Sequence, residues 1–151
     1  MRIVKDILAS KPEAFNIVQA GTLVIEALTL LNSVNLSYLI VMDGHEYKGL
    51  FCERDYSRNV ILKGRSSDTT KVEEVMTTDL PVVSLTDSVE HCMNFMNVSK
   101  TRYLLAYDGK HFAGVITIHD LLRQVIANKE DVFDSSVANS LLDNEESGRI
   151  Y

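Results

Sequence analysis

Apolar positions along the chain follow a helical period and then a run of strand-like segments, and this succession occurs twice. Over residues 22–34, Val24, Ala27, Leu28 and Leu31 fall at i, i+3, i+4 and i+7, the stripe of an amphipathic helix. Apolar runs follow at 38–42 and 47–52, parted by Asp43-Gly44, which predicts an antiparallel hairpin. A second helical pattern then uses Tyr56, Val60 and Ile61. The later half repeats the order: Val89, Cys92, Met93 and Met96 on one helix face, runs at 102–107 and 111–117 about Asp108-Gly109, then Leu121, Leu122, Val125 and Ile126. With a short first strand near Ile17-Val18 or Val82-Val83, each copy reads β-α-β-β-α, a mixed α/β (α+β) fold.

The wording repeats as well as the pattern. GLFCERDYSR from Gly49 returns as GVITIHDLLR from Gly114, an offset of 65 that also pairs Val18 with Val83, Val24 with Val89 and Tyr38-Leu39 with Tyr103-Leu104. Two copies are too few for a solenoid, so the chain reads as a duplicated small domain. Each copy holds roughly 60 residues, a marginal size for independent stability, and the two are expected to share a core. KGRSSDTTK, residues 63–71, is rich in Gly, Ser and Thr and is expected to link them.

Composition narrows the function. The 151 residues carry a net charge of −6, which argues against a nucleic-acid surface or an anionic membrane surface, both of which need clustered Lys and Arg. MRIVKDILAS lacks the apolar core of a secretion signal and no run reaches membrane-spanning length, so a cytoplasmic location is expected. Cys52, Cys92 and the four histidines show no metal-ligand spacing, and no nucleophile–base pair stands out. The expectation is a non-enzyme with neither catalytic nor metal-binding residues.

The junctions between the last strand and last helix of each copy carry the candidate chemistry. Thr117 stands where a strand hands over to a helix, so its hydroxyl and the first-turn N–H groups face one volume hospitable to phosphate. Asp120, one turn on, is placed to accept from both hydroxyls of a ribose. Thr117-x-x-Asp120 is also close to a capping box, which would account for both residues without a ligand. In the first copy Asp55 keeps its place, but Cys52 replaces the hydroxyl. Arg54 and Arg58 flank Asp55 and Arg65 follows, a local positive density suited to phosphate or to ordinary surface pairing. His119 and Arg123 hold the corresponding positions in the second copy.

These residues are similar to a tandem pair of cystathionine β-synthase (CBS) domains standing alone, of a bacterial and organellar type. The Gly114, Thr117, Asp120 motif follows the family signature in full, and Gly49, Cys52, Asp55 follows it with a thiol in place of the hydroxyl. The resemblance implies two repeats packed about a pseudo-two-fold axis, at residues 1–66 and 67–128, with a tail over 129–151, and two such pairs associating as a homodimeric disk. It implies binding of AMP, ADP, ATP or NAD(H), and behind these S-adenosylmethionine, in clefts between the domains, with no cofactor required and an unspecified protein as the regulated partner. Implied ligand contacts are Gly114, Thr117, His119, Asp120, Cys52, Arg54, Asp55 and Arg58, with Val83 and Tyr103 on the wall that meets the base. Ile40 and Leu105 stand where the family often has Pro, and Gly148 and Tyr151 echo a common tail. The alternative is a dimerisation or docking module whose clefts bind nothing.

Overall fold

The computed structural model describes residues 2–12, 16–34 and 37–128. The tail over 129–151, with the short helix expected near Val137, Leu141 and Leu142 and with Gly148 and Tyr151, lies outside the described residues.

The first copy forms β1 (Ile17–Gln19), α2 (Val24–Ser33), β2 (Tyr38–Asp43), β3 (Glu46–Cys52) and α3 (Glu53–Tyr56), preceded in the chain by α1 (Val4–Ser10). The second forms β4 (Val82–Ser84), α4 (Val89–Ser99), β5 (Tyr103–Asp108), β6 (His111–Thr117) and α5 (Ile118–Asn128). Each copy has one three-stranded sheet, ordered β1-β2-β3 or β4-β5-β6, with its first pair parallel and its second antiparallel. The registers correspond at the offset of 65. Tyr38 pairs with Cys52 as Tyr103 pairs with Thr117, and both hairpins carry a bulge just before the glycine, at Lys48 and Ala113.

The predicted helix faces are the buried ones: Val24, Ala27 and Leu31 in α2, Cys92 and Met96 in α4. The hairpin turns fall one residue later than the Asp-Gly pairs suggest. Asp43 pairs with Glu46 and Asp108 with His111, so Gly44-His45 and Gly109-Lys110 are the turn residues, and the two glycines take φ of 62° and 61°. A glycine at the first central position suits the right-handed twist of the strands. The helix after β3 is less regular than its counterpart: past Tyr56 it widens into a π-helical turn, Ser57–Ile61, which turns Val60 fully inward and leaves Ile61 exposed.

The compact units do not divide at residue 66. One unit joins the N-terminal residues through 12 to residues 80–128, and the other comprises 16–79. The reason is α1. Val4 and Ile7 are buried in the core of the second copy, with Val83, Cys92, Leu104, Ile116 and Leu121. The backbone fixes this placement, because the Val4 and Lys5 N–H groups donate to the Asp87 and Leu85 carbonyls at 2.9 Å.

Residues 72–77 do the same for the first copy. Val72 and Val75 enter its core, and the Val72 and Glu73 N–H groups donate to the Thr22 and Ala20 carbonyls. Nor is 63–71 a free linker. Leu23, the N-cap of α2, offers no side-chain acceptor, so the Val24 and Ile25 N–H groups donate to the carbonyls of Thr70 and Ser67 at 2.8 and 2.9 Å. Orphan helix donors must be paired when buried, and this segment pairs them. Among the described residues no helix is long and apolar enough to cross a membrane.

Candidate ligand site at the strand-to-helix junctions

In the second copy the chain leaves β6 at Thr117 and closes a complete capping box. The Asp120 N–H donates to Thr117 Oγ1 at 3.2 Å, and the Thr117 N–H donates to Asp120 Oδ2 at 2.8 Å. The Ile118 N–H donates to the Arg102 carbonyl at 2.9 Å. These first-turn donors, expected to face a phosphate, are therefore engaged within the unit. Asp120 does not reach outward either. It is 7% exposed, and Lys11 Nζ donates to its Oδ2 and to the Val115 carbonyl, both at 2.9 Å. A carboxylate so far removed from water has to be paired, and the chain supplies the partner.

In the first copy Asp55, 6% exposed, closes the same turn. The Cys52 N–H donates to Asp55 Oδ2 at 2.9 Å, the Cys52 thiol reaches the same oxygen at 3.4 Å, and the Thr77 hydroxyl donates to Oδ1 at 2.6 Å. Cys52 accepts no cap bond, so the box is half made. Burial, and then the Asp55 charge, push the Cys52 thiol up to about 11. It is held protonated and unreactive, which disfavours redox sensing through this residue.

The other expected contacts divide between the junctions and the core. His119 is buried beside Thr117, and Tyr103 is half-buried opposite it in the hairpin. Arg54 and Arg58 are exposed and pair with no carboxylate among the described residues, while Arg65 donates to the Glu74 carbonyl at 3.1 Å. Val83 is buried in the hydrophobic core of its unit.

Gly114 is also a packing residue. A Cβ there would stand 2.8 Å from Leu8 Cδ2, and one on Gly49 would stand 2.7 Å from both Met76 Sδ and the Thr77 carbonyl oxygen. Each glycine makes room for an opening segment to lie across the strand.

Lys11, Thr77, Leu8 and Met76 were not singled out from the sequence. The signal was present: VKDIL from Val4 matches VEEVM from Val72 at an offset of 68. That offset differs from the 65 of the main repeat, so alignment on the strong motif hides it.

The CBS domain family model matches residues 72–127. The chain is 30% identical over 108 residues to the CBS domain-containing protein CBSX3, mitochondrial, of Arabidopsis thaliana, a match covering 68% of this chain and 52% of that protein. It thus spans about half the length of that relative. Among solved structures, a protein with CBS domains from Burkholderia ambifaria MC40-6 superposes with a TM-score of 0.76 at 36% identity, over 85% of this chain and 96% of the other. CBSX2 in complex with AMP shares the fold, with a TM-score of 0.69 at 24% identity over 84% and 98%.

Proposed function

Because this chain belongs to the CBS-domain family, as a protein of two such repeats, we propose that it is a regulatory protein that binds an adenine nucleotide at its strand-to-helix junctions. The observation that carries this reading is the duplicated junction. In both copies a strand ends on a hydroxyl or thiol, a helix begins, and a carboxylate three residues on is held in place by the strand's last N–H. One carboxylate can accept from two vicinal hydroxyls, and a ribose offers that pair at fixed spacing. The AMP complex of the CBSX2 structure supports the ligand class.

Thr117 and Asp120, with His119 beside them, make up the second-copy site, and Cys52 and Asp55 the first. Arg54 and Arg58, exposed beside Asp55, are available to pair with phosphate bidentately. Occupancy acts on a protein partner through two shapes of different ligand affinity, in a homodimer that needs no cofactor and performs no chemistry.

Thermal shift against AMP, ADP, ATP, NADH and S-adenosylmethionine tests this. A ligand at a hundred times its Kd is expected to add about 2.7 kcal/mol. The reading fails if none of the five raises the melting temperature and no nucleotide co-purifies.

A further inference from the structure

We propose that Lys11 is a tethered cation that latches the second junction shut against diol ligands, leaving the first junction as the more readily opened site; this rests on the nucleotide reading above. The ion pair is short and sheltered: Lys11 Nζ lies 2.9 Å from Asp120 Oδ2, with side-chain exposures of 25% and 8%. Oδ2 already accepts the Thr117 N–H, so Lys11 fills its remaining lone-pair direction. A ribose held in bidentate fashion, one hydroxyl to each carboxylate oxygen, meets an Oδ2 that is already filled. It therefore has to displace either the cap, which starts α5, or the ammonium.

The ammonium is itself anchored. Its second bond, to the Val115 carbonyl at 2.9 Å, ties it to the strand carrying the motif, and α1 just before it is seated through Val4 and Ile7. The first junction has no such device. Among the described residues no cation pairs with Asp55, whose partners are the Cys52 N–H, the Cys52 thiol and the Thr77 hydroxyl. Both carboxylates accept charge-assisted bonds, but a hydroxyl can rotate away without stranding a charge of its own, whereas displacing the ammonium separates a sheltered ion pair. The opening segments correspond at the offset of 68, and that offset sets Asp79 opposite Lys11. The cation is thus peculiar to the N-terminal segment. The copy with the complete motif is the copy that is closed.

Calorimetric titration of AMP into the full chain, as wild type and as Lys11→Met, Lys11→Gln and Lys11→Arg, tests the latch. Gln keeps a neutral donor toward Val115, and circular dichroism melts establish that each variant folds. Removing the cation is expected to tighten AMP binding at the second junction about tenfold, the worth of one charge-assisted bond, or to add a second binding event. Arg is expected to behave as wild type, and Asp120→Asn added to Lys11→Gln is expected to cancel the gain. If wild type binds AMP and the Met and Gln variants bind it identically or more weakly, the latch is overturned while the nucleotide reading stands. If no form binds AMP, ATP or NADH, both are overturned.

Discussion

Asp55 and Asp120 occupy the same turn of the same motif, yet their surroundings give them different freedom. Asp120 is held by a full capping box and an ammonium, Asp55 by half a box, a hydroxyl and a thiol. The thiols add a pH dependence of their own. Burial raises Cys52 and Cys92 to about 11, each helped by a nearby carboxylate, Asp55 or Asp87.

An unfolded cysteine titrates near 8.5. Below that pH both states keep the proton and these groups add no slope. Above it the unfolded chain releases protons that the native chain retains, so stability should fall from about pH 8.5 until the native thiols ionise near 11. Urea unfolding at pH 7, 9 and 10 measures this, and replacing both cysteines with alanine should flatten the slope. Iodoacetamide should label native Cys52 slowly at pH 7, where only about one thiol in ten thousand is ionised; labelling as fast as that of a free thiol would contradict its environment.

At the scale of elements, the two glycines differ in what they face. The Cβ of an alanine at position 49 would meet the Thr77 carbonyl, which the Leu50–Thr77 backbone pairing holds in place, whereas at 114 it would meet only the far end of Leu8. Gly49→Ala should therefore cost about 1–3 kcal/mol through overpacking, whereas the loss on Gly114→Ala should come from the backbone, whose φ of 158° a residue with a Cβ rarely adopts. Trimming Leu8 to alanine should then leave the cost of Gly114→Ala unchanged; relief of that cost in denaturant melts would mean that the neighbour and not the backbone sets it. Burial and register also explain which elements were readable. The α2 and α4 stripes and the hairpins follow local periodicity, the helices where the pattern places them and the turns displaced by one residue. The π-helical turn after Tyr56 was not legible, since it answers to seating Val60 in the core rather than to any residue preference.

On the scale of the whole molecule, α1 belongs with residues 80–128 and the segment 72–77 with residues 16–70. Ile7→Ala should then destabilise by about 2–5 kcal/mol, as for other fully buried large-to-small changes. The loss should register as faster amide exchange in α4, β5, β6 and α5. Faster exchange confined to β1, β2 and β3 would place α1 on the other unit and refute the assignment.

The sequence alone determined the duplicated β-α-β-β-α order, the buried helix faces and the positions of the junction motifs, because these depend on spacings of two to four residues that every chain reads locally. It also held both explanations of Thr117-x-x-Asp120 open. Only the tertiary structure decided that the capping box is closed, that Gly114 and Val83 serve packing, and that Lys11 stands on Asp120, 109 residues away. A buried carboxylate takes whatever cation the fold brings within reach, and that is a property of the assembled chain rather than of any segment of it.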